Sequence, residues 1–227
     1  MKLLHLAVVM TLGVPFSGCA VDAWQQFNAA AEKAYREAKY EEAQKFASAA
    51  VREVEDIESE KRRLAVSLFQ LGKIYEAQSR HAETEKSFTR ALDVFEQASA
   101  LEHPDFAATL NRLGKLYHLQ GRYAEAEALY RQALVVLGQS KRAEDPEIAA
   151  GLTDLAMLYQ DQGRIIEAEL LYRRSLGIQE KVLGSDHPEV ASTLRSYATL
   201  LRKMDREAEA VKLETRAAGI TAKYLKK

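Results

Sequence analysis

Apolar residues fall in paired helical stripes along most of this chain, and the pairs recur. Ala107, Leu110, Leu113, Gly114 and Tyr117 lie three and four apart, as one face of a helix requires. Beyond Gly121 a second stripe follows: Ala124, Ala126, Leu129, Tyr130, Ala133, Leu134 and Leu137. The pattern predicts helix, short turn, helix, with Gly121 ending the first helix at a positive φ. It returns at a step of 42 residues: Pro104, Pro146 and Pro188, then Leu110, Leu152 and Leu194, then Arg122, Arg164 and Arg206, then Ala126, Ala168 and Ala210. Asp205 replaces Gly121 and Gly163 in the last copy. One helical pair cannot bury both of its stripes, so a fixed period of this length means stacked units.

The residue sizes fit close stacking. Gly114 and Ala126 let paired helices approach, and Tyr117 and Tyr130 fill the space around them. Tyr117 and Tyr159 are therefore expected between helices. Proline at the first helical position loses no hydrogen bond. Asp145 is the expected N-cap of the helix opened by Pro146, and Asp105, Glu147 and Glu189 suit positive helix starts. An earlier copy reads Leu68, Leu71, Gly72, Tyr75, Thr84, Phe88 and Ala91, without the opening proline. The first copy steps back 41 residues to Phe27, Ala30, Ala31, Ala34, Ala43, Ala47 and Ala50. In the last copy Glu214 stands where Tyr130 and Tyr172 stand. Burying a carboxylate there is costly, so that helix is expected to face solvent.

The pattern resembles the tetratricopeptide repeat. The residues that carry the resemblance are Leu110, Leu113, Gly114, Tyr117, Ala126, Tyr130 and Ala133, then Leu152, Leu155, Ala156, Tyr159, Ala168, Tyr172 and Ser175. The 42-residue step and Gly184-Ser185-Asp186-His187-Pro188 are similar to the longer variety found in kinesin light chains. The resemblance implies an all-α, right-handed α-solenoid of stacked helix-turn-helix repeats. Five repeats span 24–60, 62–99, 104–140, 146–182 and 188–223 of a domain over 24–223.

In that family the first helix of each pair lines a concave face that takes a protein or peptide partner. Counting along those helices gives Phe69, Gln70, Lys73 and Glu76, then Asn111, Arg112, Lys115 and His118, then Thr153, Asp154, Met157 and Gln160, then Arg195, Ser196, Thr199 and Arg202. The partner-binding groove read from them is Phe69, Lys73, Asn111, Arg112, Lys115, His118, Asp154, Met157, Arg195 and Arg202. Arg112, Lys115, Arg195 and Arg202 would hold acidic groups through charge-assisted hydrogen bonds, and Asn111 a peptide backbone. The competing reading is that these are only the solvated side of amphipathic helices.

The N-terminus reads differently. Lys2 precedes an apolar run, Leu3 to Val14, too short for the roughly 20 residues of a membrane span. Together they read as a secretory signal peptide over residues 1–18. The sole cysteine closes Phe16-Ser17-Gly18-Cys19, which resembles the lipobox of bacterial lipoproteins, though Phe16 replaces the usual Leu. That resemblance implies lipidation of Cys19, a short tether over 19–23, and an envelope location, at the outer membrane facing the periplasm. Cleavage near Ala20 would instead leave a soluble periplasmic protein.

Composition narrows the chemistry. A net charge of -1 gives no bulk attraction to nucleic acid, and one cysteine leaves no internal disulfide. The chain contains no His-Glu-x-x-His, no paired cysteines and no glycine-rich phosphate loop. No catalytic residue, metal, cofactor or small-molecule substrate is expected. His103 and His187 read as turn residues. The expectation is a non-catalytic interaction scaffold, lipid-anchored, binding a protein segment in its groove. The alternatives are a self-associating structural spacer and a cell-wall-associated assembly factor.

Overall fold

The computed structural model describes residues 22–139 and 146–225. Cys19 and Asp145 lie outside them. The described residues form ten α-helices, a 3-10 turn and no strand, in two compact units that meet in sequence at Ala98 and Ser99. Unit 1 holds α1 (Ala23–Arg36), α2 (Tyr40–Val54), the 3-10 turn Glu58–Glu60, α3 (Lys61–Ala77) and α4 (His81–Gln97). Unit 2 holds α5 (Pro104–Leu119), α6 (Tyr123–Gln139), α7 (Pro146–Asp161), α8 (Ile165–Leu183), α9 (Pro188–Lys203) and α10 (Glu207–Tyr224).

The turn within each helical pair is built the same way every time. One residue takes a left-handed conformation: Ala38 (φ 57°), Ser79 (58°), Gly121 (74°), Gly163 (75°) and Asp205 (57°). At Gly121 the amide donates to His118 O at 3.0 Å, and the next amide, of Arg122, donates to Tyr117 O at 2.9 Å. These two bonds satisfy carbonyls that a helix end leaves open. The same pair of bonds recurs at Gly163 and Arg164, at Asp205 and Arg206, at Ser79 and Arg80, and at Ala38 and Lys39. Helix starts are capped where the sequence allows. Asp22 accepts from Trp24 N at 2.9 Å, so α1 begins one residue ahead of Trp24. His103 and His187 are N-caps: each Nδ1 accepts an amide two residues on, from Asp105 at 3.2 Å and Glu189 at 3.3 Å.

The packing follows the small residues. In α3 a Cβ on Gly72 would lie 2.4 Å from the Phe88 ring, and in α5 one on Gly114 would lie 2.9 Å from the Tyr130 ring. Both rings are buried. Tyr159 is buried and Tyr117 packs against the same unit 2 core, so both sit between helices as the stripes require. In unit 1, Phe27, Ala31, Phe46 and Ala47 meet Ile74, and Trp24 Nε1 donates to Ser67 Oγ at 2.8 Å.

Arginines lock one repeat to the next. Arg164 donates to Glu167 in its own repeat and, at 2.9 and 3.0 Å, to both carboxylate oxygens of Glu127 in the repeat before. Arg206 repeats this with Glu209 and Glu169. Arg80 does so with Glu83 and, in the repeat before, Gln44. Tyr159 OH completes the first cluster by donating to Glu127 at 3.0 Å. Tyr197 OH donates to Glu169 at 2.8 Å, although Tyr197 lies one turn earlier in its helix than Tyr159 does. The hydroxyl is retained while the residue supplying it moves. Burial raises the Glu127 carboxyl, but hydrogen bonds from Arg164 and Tyr159, with Arg131 close by, hold it below the usual range. Glu169 is held down in the same way by Arg206 and Tyr197, with Arg173 nearby.

Candidate functional site: the first-helix face of unit 2

In unit 2 the first helices α5, α7 and α9 touch in succession, while each second helix packs beside its flanking first helices. The first helices therefore share one face. Three columns of side chains run along it, and the structure assigns them different roles.

Lys115, Met157 and Thr199 form the open column, all exposed, with Met157 at 38%. Beside it run Arg112, Asp154 and Ser196, each half-buried. Desolvation pushes the Asp154 carboxyl up to about 6, against the opposing pull of Lys115 and His118. The same burial raises the Tyr130 and Tyr172 hydroxyls, and the Asp154 charge adds to both.

In the third column, Asn111, Thr153 and Arg195, the first two pack against neighbouring helices. The Asn111 amide lies against Gly151 of α7, where an added Cβ would come 3.6 Å from its Oδ1. Thr153 Oγ1 reaches Ser175 Oγ at 2.7 Å and Thr193 Oγ1 at 3.4 Å. Positions 111 and 153 therefore face the next first helix. Arg195 is exposed on the corresponding side of α9 and donates to Thr221 of α10 at 3.3 Å. Phe69 holds the equivalent repeat position in unit 1. It is only 7% exposed, its ring 6.1 Å from that of Phe88. Gln70 beside it is also buried. Both depart from the exposed positions that helical counting assigns them, because that side of the helix is a packing surface. Lys73 lies over the Tyr35 and Phe69 rings, at 5.1 and 5.3 Å.

Two further groove residues are committed to neighbours. His118 Nε2 meets Asp161 Oδ2 at 2.9 Å and stands edge-on to Tyr123. Arg202 grips Glu214 with both terminal nitrogens and also reaches Glu207. Glu214 is half-exposed in that pair, and Arg202 lowers its carboxyl. The last repeat thus replaces the Tyr172 to Gln160 contact with a carboxylate and guanidinium, and Glu214 meets solvent as its sequence position requires. Counting along the chain missed the arginine ladder, although Arg122, Arg164 and Arg206 each have a glutamate three residues on; that spacing is its signal.

Among the described residues no cluster of His, Cys, Asp or Glu is arranged to hold a metal, and no helix is long and apolar enough to cross a membrane. The fold and this face define an all-α helical-repeat protein, a class built to present one face of side-by-side helices. A tetratricopeptide repeat model matches residues 63–137 and 147–223, well over half of the chain. The chain belongs to the tetratricopeptide repeat family, whose fold serves generally as a protein–protein interaction scaffold. Its structure is similar to that of BtubC (BKLC) from P. vanneervenii, with TM-score 0.79 at 18% identity over 88% of this chain and 80% of that one. It is also similar to a Podosopora anserina putative kinesin light chain with nearly identical TPR-like repeats, with TM-score 0.72 at 23% identity over 89% and 98%. A Rap protein complexed with Competence and Sporulation Factor gives TM-score 0.67 at 16% identity over 87% of this chain and 54% of that one. These likenesses show the fold. No protein of curated function matches the chain in sequence.

Proposed function

We propose that this chain is a non-catalytic adaptor that binds a protein segment along the α5, α7 and α9 face. The observation that carries this reading is the open column of Lys115, Met157 and Thr199, with half-buried Arg112 and Asp154 beside it. A purely solvated face needs no ordered mixture of cation, thioether and enclosed carboxylate. The Rap neighbour, solved in complex with Competence and Sporulation Factor, supports a binding role for this architecture. The test is affinity capture with the full chain, followed by identification of what is held. Lys115→Glu with Met157→Glu should lose the captured protein while helical content and solution size stay unchanged. Undiminished capture by the double variant would remove the reading.

The adaptor acts from a lipid anchor at Cys19, facing the periplasm from an outer membrane. The motif Phe16-Ser17-Gly18-Cys19 supports this. Stable anchoring needs two or more acyl chains, so Cys19→Ala should move the protein from the membrane fraction to the soluble one. Retention in membranes would remove the anchor from the proposal.

A second reading, self-association through the last helix, is favoured by Val211, Tyr224 and Leu225, which are exposed on and just beyond α10. It requires a concentration-dependent increase in solution size that Val211→Glu with Tyr224→Glu abolishes.

A further inference from the structure

The partly buried carboxylates of unit 2 fall into two kinds. Glu127 and Glu169 are held by arginines and a tyrosine hydroxyl. Asp154 is different: among the described residues its carboxylate has no hydrogen bond and no ion pair. Its interactions with Lys115 and His118 act only at a distance, and His118 is bonded to Asp161 instead. Asp154 is half-buried, and that burial disfavours its charged form. A carboxylate in that position weakens the fold, and the distant charges of Lys115 and His118 offset the cost only in part.

From this contrast we propose that Asp154 is the seat for a basic side chain, Lys or Arg, of the segment bound on the α5, α7 and α9 face. The proposal deepens the adaptor reading and rests on it. Three observations set the ligand class. Asp154 needs a cationic donor, and one that brings its own hydrogen bonds repays its desolvation best. A bare divalent ion does not fit, because the neighbouring carboxylate, Asp161, is engaged by His118 and no ligand cluster forms among the described residues. Met157, one turn along α7 and exposed, gives the aliphatic stem of a Lys or Arg an apolar surface to lie on. The occupant is therefore a basic residue within a peptide chain.

The experiment pans a library of random twelve-residue peptides against the immobilised full chain and against its Asp154→Asn and Asp154→Lys variants, with thermal melting of all three. Peptides enriched on the native chain should share a Lys or Arg at one position. Asp154→Asn should weaken those peptides about tenfold without lowering the melting temperature, and Asp154→Lys should select an acidic residue at that position. Enriched peptides with no shared basic position, or bound equally by Asp154→Asn, would overturn this inference and leave the adaptor reading standing. Enrichment of no peptide on the native chain would overturn both.

Discussion

The Arg164 guanidinium lies over Tyr159, 3.6 Å from the ring centre. Arg164 follows the left-handed residue of the turn, and its amide bonds Tyr159 O at 2.8 Å. The position that closes a helix end usually contributes an apolar contact to the last turn; here it contributes a cation over an aromatic face. The same side chain then reaches Glu167 ahead and Glu127 behind. One residue fixes the turn, its own second helix and the preceding repeat. Arg122 lies over Tyr117, also at 3.6 Å, and Arg80 over Tyr75, at 4.5 Å, so the same cation and ring close their turns.

Glu127 is the partner whose loss is measurable, because it is largely covered and receives Arg164, Tyr159 and Arg131 together. Glu127→Ala should cost about 2 kcal/mol in denaturant unfolding, since hydrogen bonds to charged groups contribute about 1.5–3 kcal/mol. Arg164→Lys should restore only part of what Arg164→Ala loses, because an ammonium cannot span two carboxylates as a planar fork does. Full rescue by lysine would reduce the ladder to a simple charge effect.

Acid should act on these pairs with a definite sign. Glu127 and Glu169 have carboxyls held below their ordinary range. Their contribution is complete above the unfolded value, about 4.3, and is lost as pH falls through the lowered folded value. Melting temperature should therefore drop steeply below about pH 4, and Glu127→Gln should flatten that slope. An unchanged slope in the variant would show that other groups govern acid unfolding.

The repeat period and its glycines made the helical pairs and their turns legible in the sequence. The periodicity also placed Tyr117 and Tyr159 between helices. The site was less legible. Helical spacing shows that one arc of a first helix is polar, but it does not show which edge of that arc meets the next first helix. Asn111 and Thr153 fell on the wrong side of that line, and Phe69 turned inward to Phe88 of its own pair. Pairing is likewise hidden in a linear pattern. Arg202 and Glu214 are twelve residues apart, and His118 and Asp161 are 43 apart, so their mutual engagement depends on packing.

Gly72 and Gly114 offer a graded test of the close approach between paired helices. The added methyl meets Phe88 at 2.4 Å in one case and Tyr130 at 2.9 Å in the other. Overpacking a tight core costs about 1–3 kcal/mol, partly offset by the roughly 1 kcal/mol helix preference of alanine. Gly72→Ala should lose about 2 kcal/mol and Gly114→Ala distinctly less. Phe88→Leu should recover stability in the Gly72→Ala background only. Equal losses at both glycines would mean that the rings yield freely.

The turns invite stabilisation. Ala38, Ser79 and Asp205 hold left-handed conformations without being glycine, and such a conformation costs an ordinary residue about 1–2 kcal/mol. Glycine removes that strain but adds unfolded-chain entropy of about 0.4–1 kcal/mol. Ala38→Gly should therefore gain about 0.5–1 kcal/mol, while Gly121→Ala should lose a similar amount. A destabilised Ala38→Gly would show that the turn is not strained.

Asp154 should weaken the folded protein at neutral pH, and the pH dependence can show it. Its carboxyl is raised to about 6, chiefly by burial, with Lys115 and His118 opposing the shift. Tyr130 and Tyr172 couple to its charge as well. A raised acid binds more protons folded than unfolded between about pH 4 and about pH 6, so stability falls as pH rises through that window. Below it the group is neutral in both states and costs nothing. Above it the cost is complete, about 1–2 kcal/mol after allowance for its partial exposure. Asp154→Asn should therefore match the native chain near pH 4 and exceed it near pH 7, with the gap opening between. A basic peptide held at Asp154 should close the gap at pH 7, because the bound cation supplies what the carboxylate lacks. If the two proteins unfold alike at every pH, Asp154 is solvated, and its enclosure does not prepare it for a ligand.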